Sequence, residues 1–397
     1  MSGAERTAER AAEPAVRAHG PVPAEGFLPG PVRIVGTGLI GGSLGLALRA
    51  AGAEVQVSDI SPGTTALAIE LGVGRAIRED DEEPALVLVA APPDVAAALV
   101  AEQLRAHPGA IVADVASVKS VVLDGLLRRE AEGQLDAEQI SRYIGGHPMA
   151  GRETSGVIAA QTDLFRGRPF VIVPHERTVP AAVSLLRRVA VEIGSLPVNL
   201  SAAEHDAAVA HVSHAPQVVA SLLGAALLDA QGIALDLAGQ GLRDTSRIAA
   251  SDPRLWVEIL SANARALTPV LEDIRGRLDS LIGSLATLQG DPDPAVGSRR
   301  EVARLIADGN AGVARIPGKH GSGTDSFAAV VVLVPDAPGE LGRLLTEMGQ
   351  IGVNLEDLRL EHSLGQPVGL AHVAVARAHE SLLTTALRER GWTVADA

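Results

Sequence analysis

Val32-Arg33-Ile34-Val35-Gly36-Thr37-Gly38-Leu39-Ile40-Gly41 is a short apolar strand that runs into a glycine-spaced turn and then into the start of a helix. Gly36, Gly38 and Gly41 form G-x-G-x-x-G. In that spacing the first glycine permits the tight turn and the second lets backbone approach a pyrophosphate. The third lets the helix pack close to the strand. The helix predicted over Leu39–Ala51 then faces the phosphates with its N-terminal N–H groups. Glu54–Ser58 reads as the second strand, and Asp59 ends it, 23 residues after Gly36. Its carboxylate suits the ribose hydroxyls of a dinucleotide and would repel a 2′-phosphate, so NAD is favoured over NADP. The alternative is that Asp59 only begins the turn at Ser61-Pro62-Gly63. Ala90-Ala91-Pro92-Pro93 ends the next core strand, where a close backbone turn borders the nicotinamide side. The cofactor-binding set is therefore Gly36, Thr37, Gly38, Leu39, Ile40, Gly41, Asp59, Ala91 and Pro92.

Outward from this stretch the β-type runs alternate with helical ones. Leu86–Ala91 and Ala110–Val115 are continuous apolar runs, as buried parallel strands require. Phe170–Pro174 is a further strand and Val179–Ile193 a helix behind it. The pattern predicts a doubly wound α/β sheet, a Rossmann-type domain over 31–200. The texture changes at Ser201, which with Glu204 makes a capping box. A long Ala/Leu-rich helix is predicted over Ala202–Ala230. Residues 201–313 read as an all-helical substrate and dimerisation domain, with a self-contained bundle on a monomer as the alternative. Gly290-Asp291-Pro292-Asp293-Pro294 is a breaker cluster. A short helix is predicted over Arg299–Asp308 and a linker over 314–326. Residues 327–397 carry the order βαββαβ, a ferredoxin-like unit. Residues 1–30, rich in Ala, Pro, Glu and Arg, are expected to form a disordered tail.

A chain of 397 residues implies two or three domains. Its net charge of −14 argues against nucleic-acid binding. With no cysteine, disulfides, thiolate metal sites and cysteine nucleophiles are excluded. No apolar run is long enough to span a membrane, and the N-terminal stretch lacks the apolar middle of a secretory signal, so a cytoplasmic protein is expected. Lys119 and Lys319 are the only lysines against 32 arginines, which draws attention to both.

Three patches carry candidate chemistry. Asp114-Val115-Ala116-Ser117-Val118-Lys119 ends a sheet strand, the edge where ligands of open α/β sheets sit. Ser117 there either orients a substrate hydroxyl or caps a helix starting near Val118. Ile144-Gly145-Gly146-His147-Pro148-Met149-Ala150-Gly151 sets His147 in a glycine-flanked turn. A neutral imidazole there can accept an alcohol proton while hydride leaves the same carbon. The alternative is a buried structural histidine. Arg152 and Glu153 follow and would border the entrance. In the third patch, Gly239–Arg247, helical spacing would put Arg243 and Arg247 on one face, either to hold a carboxylate or as a solvated charged surface. His205, His211 and His214 lack the partners of a metal ligand set, so no metal is expected. His214 is placed along the cleft. There is no G-x-S-x-G elbow for a hydrolase.

The motifs G-T-G-L-I-G (36–41), D-V-A-S-V-K (114–119), G-G-H-P-M-A-G (145–151), S-H-A-P-Q (213–217) and R-D-T-S-R-I-A-A-S-D-P (243–253) resemble, in order, those of the tyrosine-biosynthesis dehydrogenases. These are the prephenate dehydrogenases and their arogenate-using relatives. The segment from Asp336 to Leu341 and the run Gly352-Val353-Asn354-Leu355 resemble an ACT domain, a small-molecule sensing module. The resemblance implies NAD-dependent oxidative decarboxylation of prephenate by a homodimer, with His147, Ser117 and Arg247 catalytic. His214, Gln217 and Arg243 would lie on the substrate side. Tyrosine would bind near Gly339 and Asn354 as a feedback ligand. Gln217 departs from the second histidine found there in relatives that use prephenate, which leaves arogenate open. Two rivals stand beside this expectation. One is a non-catalytic sensor of NAD and an amino acid. The other is a reductase for imines or 3-hydroxy acids, which would use a lysine in the helical region; none lies between 120 and 318.

Overall fold

The computed structural model describes residues 28–151, 154–290, 296–316, 327–362 and 368–395. Most of the expected tail, Arg152, Glu153, Asp291–Pro294 and most of the expected linker lie outside the described residues. The chain divides into two compact units. One comprises the residues up to Gln231 together with Thr245–Val270, and the other Gly232–Asp244 with Leu271–Ala397.

The first unit begins with β1 (Val32–Val35), α1 (Leu39–Ala50), β2 (Val55–Ser58), α2 (Pro62–Glu70), β3 (Arg75–Ala76), β4 (Leu86–Val89), α3 (Pro93–Ala106) and β5 (Ile111–Asp114). It continues with α4 (Ser120–Ala131), α5 (Ala137–Ser141), β6 (Tyr143–Pro148), β7 (Pro169–Val173), α6 (Pro180–Glu192) and β8 (Leu196–Asn199). The eight strands form one sheet in the order β3-β2-β1-β4-β5-β6-β7-β8. All neighbours are parallel except β6 and β7. The doubly wound α/β sheet is therefore present, widened by strands that the apolar pattern did not mark.

Both faces of the sheet are covered, and that is why β4 at its centre is apolar at every position. Leu86 and Leu88 face a core with Ile34, Leu44, Leu48, Phe170 and Leu186. Val87 and Val89 face the opposite core with Val100, Leu104, Val112 and Leu126. The register sets Ser58, Val35, Val89, Asp114 and Gly145 side by side across five strands. The residues that follow the first four leave the sheet along one edge, and β6 alone runs on past that row beside β7. That row gathers Asp59, the glycine loop, Ala90-Ala91, the Val115–Lys119 turn and Gly146-His147.

After β8 come α7 (Ala202–Val209), a π turn (Ala210–His214), α8 (Ala215–Ala226), α9 (Gly232–Asp236), α10 (Gln240–Ser246), α11 (Pro253–Ala262), α12 (Ala264–Gly290) and α13 (Val296–Ala314). Ser201 caps α7 in the predicted capping box with Glu204. The single helix expected over Ala202–Ala230 is present as one helical run from Ala202 to Asp229, α-helical except for the π turn and a closing 3₁₀ turn at Leu227–Asp229. Pro216 in the first turn of α8 has no N–H to give Val212, and the π turn just before it takes up the misfit.

In the second unit, β9 (Phe327–Pro335), α14 (Glu340–Ile351), β10 (Asp357–His362), β11 (Val368–Ala376), α15 (Glu380–Glu389) and β12 (Thr393–Val394) give the predicted βαββαβ order. The four strands are antiparallel in the order β10-β11-β9-β12. Alternate residues of β9 and β11 pack on Leu344, Met348, Leu383, Leu387 and Trp392.

Phe170 is fully buried at the centre of the first core. Phe170→Ala is expected to cost about 3–5 kcal/mol, read as a lower denaturation midpoint of the first unit with unchanged far-UV circular dichroism under native conditions.

Candidate active site

The cofactor loop is built on steric grounds. Gly36 has φ +95°, and a Cβ there would stand 2.3 Å from the carbonyl oxygen of Ala90. A Cβ on Gly41 would stand 1.9 Å from the carbonyl oxygen of Gly36. Gly38 differs: a Cβ there would meet nothing within 4 Å. The turn glycine and the packing glycine are thus filled against protein, and the middle one faces open space. No side chain caps α1, so its N-terminal turn is left to an anion. These features fit the pyrophosphate of NAD. Asp59 accepts the backbone N–H of Thr37 at 2.8 Å and its hydroxyl at 3.1 Å through one oxygen. Its other oxygen accepts the N–H of Ser61 at 3.0 Å. The carboxylate is therefore tied to the loop, and the turn at Ser61 is present as well.

His147 does not lie in a turn. It is the fifth residue of β6, one place before Pro148. Nor do Gly145 and Gly146 adopt left-handed backbone. Space makes them glycines. A Cβ on Gly145 would stand 3.1 Å from Cδ of Lys119 and 3.2 Å from Val173. One on Gly146 would stand 3.1 Å from Phe170. The room expected for a ligand is taken by a buried lysine and its neighbours.

Lys119 is almost wholly buried. Its ammonium pairs with Asp114 and donates to the carbonyl oxygen of Gly146 at 2.7 Å. Asp114 also accepts from the Tyr143 hydroxyl at 2.8 Å and from the N–H of Ala116 at 3.0 Å. Burial draws the Lys119 ammonium down from its ordinary value, while Asp114 and Asp206 work against that. Burial beside Asp114 pushes the Tyr143 phenol well up, so it stays a neutral donor.

Beyond the strand edge, His147 Nδ1 and His205 Nε2 are 2.8 Å apart, with the rings edge to face. His205 Nδ1 is 2.8 Å from Asp206 Oδ1. The same carboxylate accepts the backbone N–H groups of Lys119 and Ser120, each at 2.8 Å. It thereby caps α4, the task the sequence offered to Ser117; α4 begins at Ser120, and Ser117 is half-buried in the turn before it. Burial alone would raise the Asp206 carboxyl, but the hydrogen bonds from His205, Ser120 and Lys119 bring it below its usual range. Desolvation, aided by His205, Lys119 and His214, holds His147 well below 6.5, so its ring is neutral at pH 7. His214 is buried on the π turn, where Asn263 donates to its Nδ1 at 2.9 Å. Burial pushes it down to about 4.

Gln217 is buried on α8, 3.3 Å from the Ser221 hydroxyl and 3.4 Å from that of Ser251. Arg243 lies in α10 and Arg247 opens a 3₁₀ turn after it, so one continuous α-helix does not carry both; both are exposed. In the second unit, Gly339 has φ +91° and precedes α14. Asn354 donates to Glu356 at 2.9 Å. The lysine pair, His205, Asp206 and Asn263 were not recognised as site residues from the sequence. The rarity of lysine pointed at Lys119, and the His205-Asp206 pair stood in an alanine-rich helix, but the Gly146 carbonyl, His147 and the α4 N–H groups that they meet come from distant segments.

A glycine loop shaped for a dinucleotide, with a neutral imidazole at the same sheet edge, defines an NAD-dependent oxidoreductase. The chain matches the family description "prephenate dehydrogenase, nucleotide-binding domain" over residues 44–198 and "prephenate dehydrogenase, dimerization domain" over 201–293. It is 34% identical to the probable prephenate dehydrogenase NovF of Streptomyces niveus over 90% of this chain and 98% of that one. The prephenate dehydrogenase of A. aeolicus, solved with hydroxyphenyl propionate and NAD+, is 27% identical and superposes with a TM-score of 0.59, covering 70% of this chain and 98% of the other. Synechocystis arogenate dehydrogenase is 30% identical with a TM-score of 0.57, over 71% and 98%. The chain belongs to the prephenate dehydrogenase family.

Lys119→Met would leave the Asp114 carboxylate buried without its ion partner, at a cost of about 3–5 kcal/mol. Lys119→Met with Asp114→Asn should recover part of that loss. A double-mutant cycle in urea measures the coupling, and additive costs would mean that the pair contributes nothing.

Proposed function

We propose that the protein oxidises prephenate with NAD⁺ to 4-hydroxyphenylpyruvate, CO₂ and NADH. The observation that carries this is a neutral His147 at the strand edge shared with the cofactor loop. NAD⁺, when bound at Gly36–Gly41 and Asp59 and bordered by Ala91 and Pro92, supplies the hydride acceptor. His147 takes the proton of the C4 hydroxyl as hydride leaves that carbon. The ring carboxylate departs as CO₂, the electron pair it leaves behind completes the aromatic ring, and the phenolate oxygen so formed takes its proton back from His147. Ser117 hydrogen-bonds the same hydroxyl and orients it toward His147. Arg247 holds a substrate carboxylate, and His214, Gln217 and Arg243 border the substrate.

Gln217 favours a second reading. It is a neutral amide held between two serine hydroxyls, and it adds no positive charge toward a side-chain carboxylate. That composition suits arogenate, which carries an amino group where prephenate has a ketone. In either case residues 327–397 act as an ACT-type sensor, with tyrosine near Gly339 and Asn354 as the inhibitor. The helices around the exposed Leu222, Leu228 and Val257 pair two copies into a dimer. Among the described residues no helix is long and apolar enough to cross a membrane.

NADH formation from prephenate and from arogenate, each with NAD⁺ and NADP⁺ and with added tyrosine, tests these assignments. Turnover of prephenate with NAD⁺ is expected, and turnover of arogenate alone would move the assignment to the second reading. No turnover of either would leave a non-catalytic sensor. His147→Asn should lower kcat by roughly 10²–10⁴-fold while NAD⁺ binding, followed by fluorescence, is retained.

The pH dependence follows from the depressed His147. The working form is the unprotonated ring, so kcat/KM stays full near neutrality and falls only as acid protonates His147, below 6.5. A limb at or above 6.5 that vanishes in a His147 variant would contradict this environment.

A further inference from the structure

Asp206 and His205 take no part in the hydride chemistry, yet they decide which nitrogen of His147 can work. Asp206 is an acceptor on both oxygens: it holds two backbone N–H groups of the α4 terminus and faces His205 Nδ1 at 2.8 Å. An ionised carboxylate can only accept, so His205 Nδ1 carries a proton and donates it. For a neutral His205, Nε2 then holds a lone pair. That nitrogen lies 2.8 Å from His147 Nδ1, which must donate to it. His147 is left with its lone pair on Nε2. The order of protons is set from the carboxylate outward.

We propose that Asp206 is a positioning residue that selects the tautomer of His147 through His205, making Nε2 of His147 the base. The inference rests on the reading of His147 as the proton acceptor. It gives Asp206 a role separable from its capping of α4. The oxygen that His205 faces is fixed by the Lys119 N–H, and the other oxygen is fixed by the Ser120 N–H. Asp206 therefore has no freedom to swing away from the ring. The arrangement reproduces, with an extra imidazole, the logic by which a carboxylate orients the histidine of a hydrolase triad. There, replacing the carboxylate by an amide selects the wrong tautomer. Asp206→Asn would act likewise here. With its Oδ1 on the Ser120 N–H it still holds one of the two α4 donors, while its NH₂, in place of the oxygen that accepts from Lys119, would give up that contact and donate to His205 Nδ1. His205 would then donate from Nε2, and His147 would keep its proton on Nε2, where the lone pair is needed.

Long-range ¹H–¹⁵N correlation NMR of the full-length protein reads ring tautomers directly, with His147 and His205 assigned from His147→Asn and His205→Leu. The wild-type His147 should show Nδ1–H and an unprotonated Nε2. Asp206→Asn should reverse this and lower kcat by roughly 10²–10⁴-fold, the size of effect that a misplaced tautomer has in a triad. KM for NAD⁺ should stay within about threefold, given that binding and chemistry separate in this way. A capping role alone would lower the melting temperature and leave the tautomer and kcat unchanged, and that result would overturn the proposal. So would a wild-type His147 protonated on Nε2. If Asp206→Asn does not fold, His205→Leu serves on the same spectrum. Loss of the single Nδ1–H form supports the relay, and its persistence overturns it. Because the tautomer is read without substrate, failure of the relay is distinguishable from failure of the prephenate assignment.

Discussion

A buried ammonium shapes this active site. Moving a charge out of water is costly unless a counter-charge and hydrogen bonds replace the solvent. Lys119 finds both in Asp114 and in the Gly146 carbonyl. The consequences spread through the neighbouring backbone. β6 runs beside β5 to present that carbonyl, and a Cβ on Gly145 would crowd the lysine at 3.1 Å while one on Gly146 would crowd Phe170 at 3.1 Å, so packing rather than left-handed backbone favours glycine at both. The next residue along the strand is His147, carried to the sheet edge by the same pairing. The main chain of Lys119 meanwhile gives its N–H to Asp206. One residue thus holds the strand that carries His147 with its side chain and the helical segment with its backbone.

The sheet edge gathers the remaining parts because parallel strands in register end in a row. Gly36, Asp59, Ala90 and Gly146 each follow a residue of that row. None of them needs a special loop to reach its neighbours. The central strand β4 is short and apolar on both faces, so a slip in its register would uncover core on both sides of the sheet. The chemistry inherits its geometry from that constraint. Burial first, and the neighbouring His205, Lys119 and His214 after it, keep the His147 ring neutral.

The Rossmann-type loop, the apolar core strands, the Ser201 capping box and the βαββαβ order of the second unit were legible because each is a local pattern of period, turn chemistry or glycine spacing. Gly36 and Gly41 could be assigned from spacing, and the structure supplies the contacts that make them necessary. His147 was picked out, but its setting was misjudged: a glycine pair before a His-Pro step reads as a turn when the lysine filling the space above the strand is unseen. The helical run over Ala202–Ala230 was legible from its composition, but the π turn before Pro216 was not, because propensity does not show how a chain accommodates a proline in mid-helix. Ser117 was offered as a helix cap, a task that falls to Asp206, 86 residues beyond Ser120 in the chain.

By itself the sequence determined the class of fold, the cofactor loop and the Gly-Gly-His-Pro stretch that carries His147, since these depend on residues within a few positions of one another. Only the tertiary structure decided how that histidine is held. The Lys119–Asp114–Tyr143 cluster, the contact between His147 and His205, and the Asp206 carboxylate across the α4 terminus join segments 5 to 87 residues apart. The physical reason lies in burial. A polar group removed from water must find its partners wherever the packed chain brings them, and hydrophobic periodicity carries no record of which distant donor will arrive.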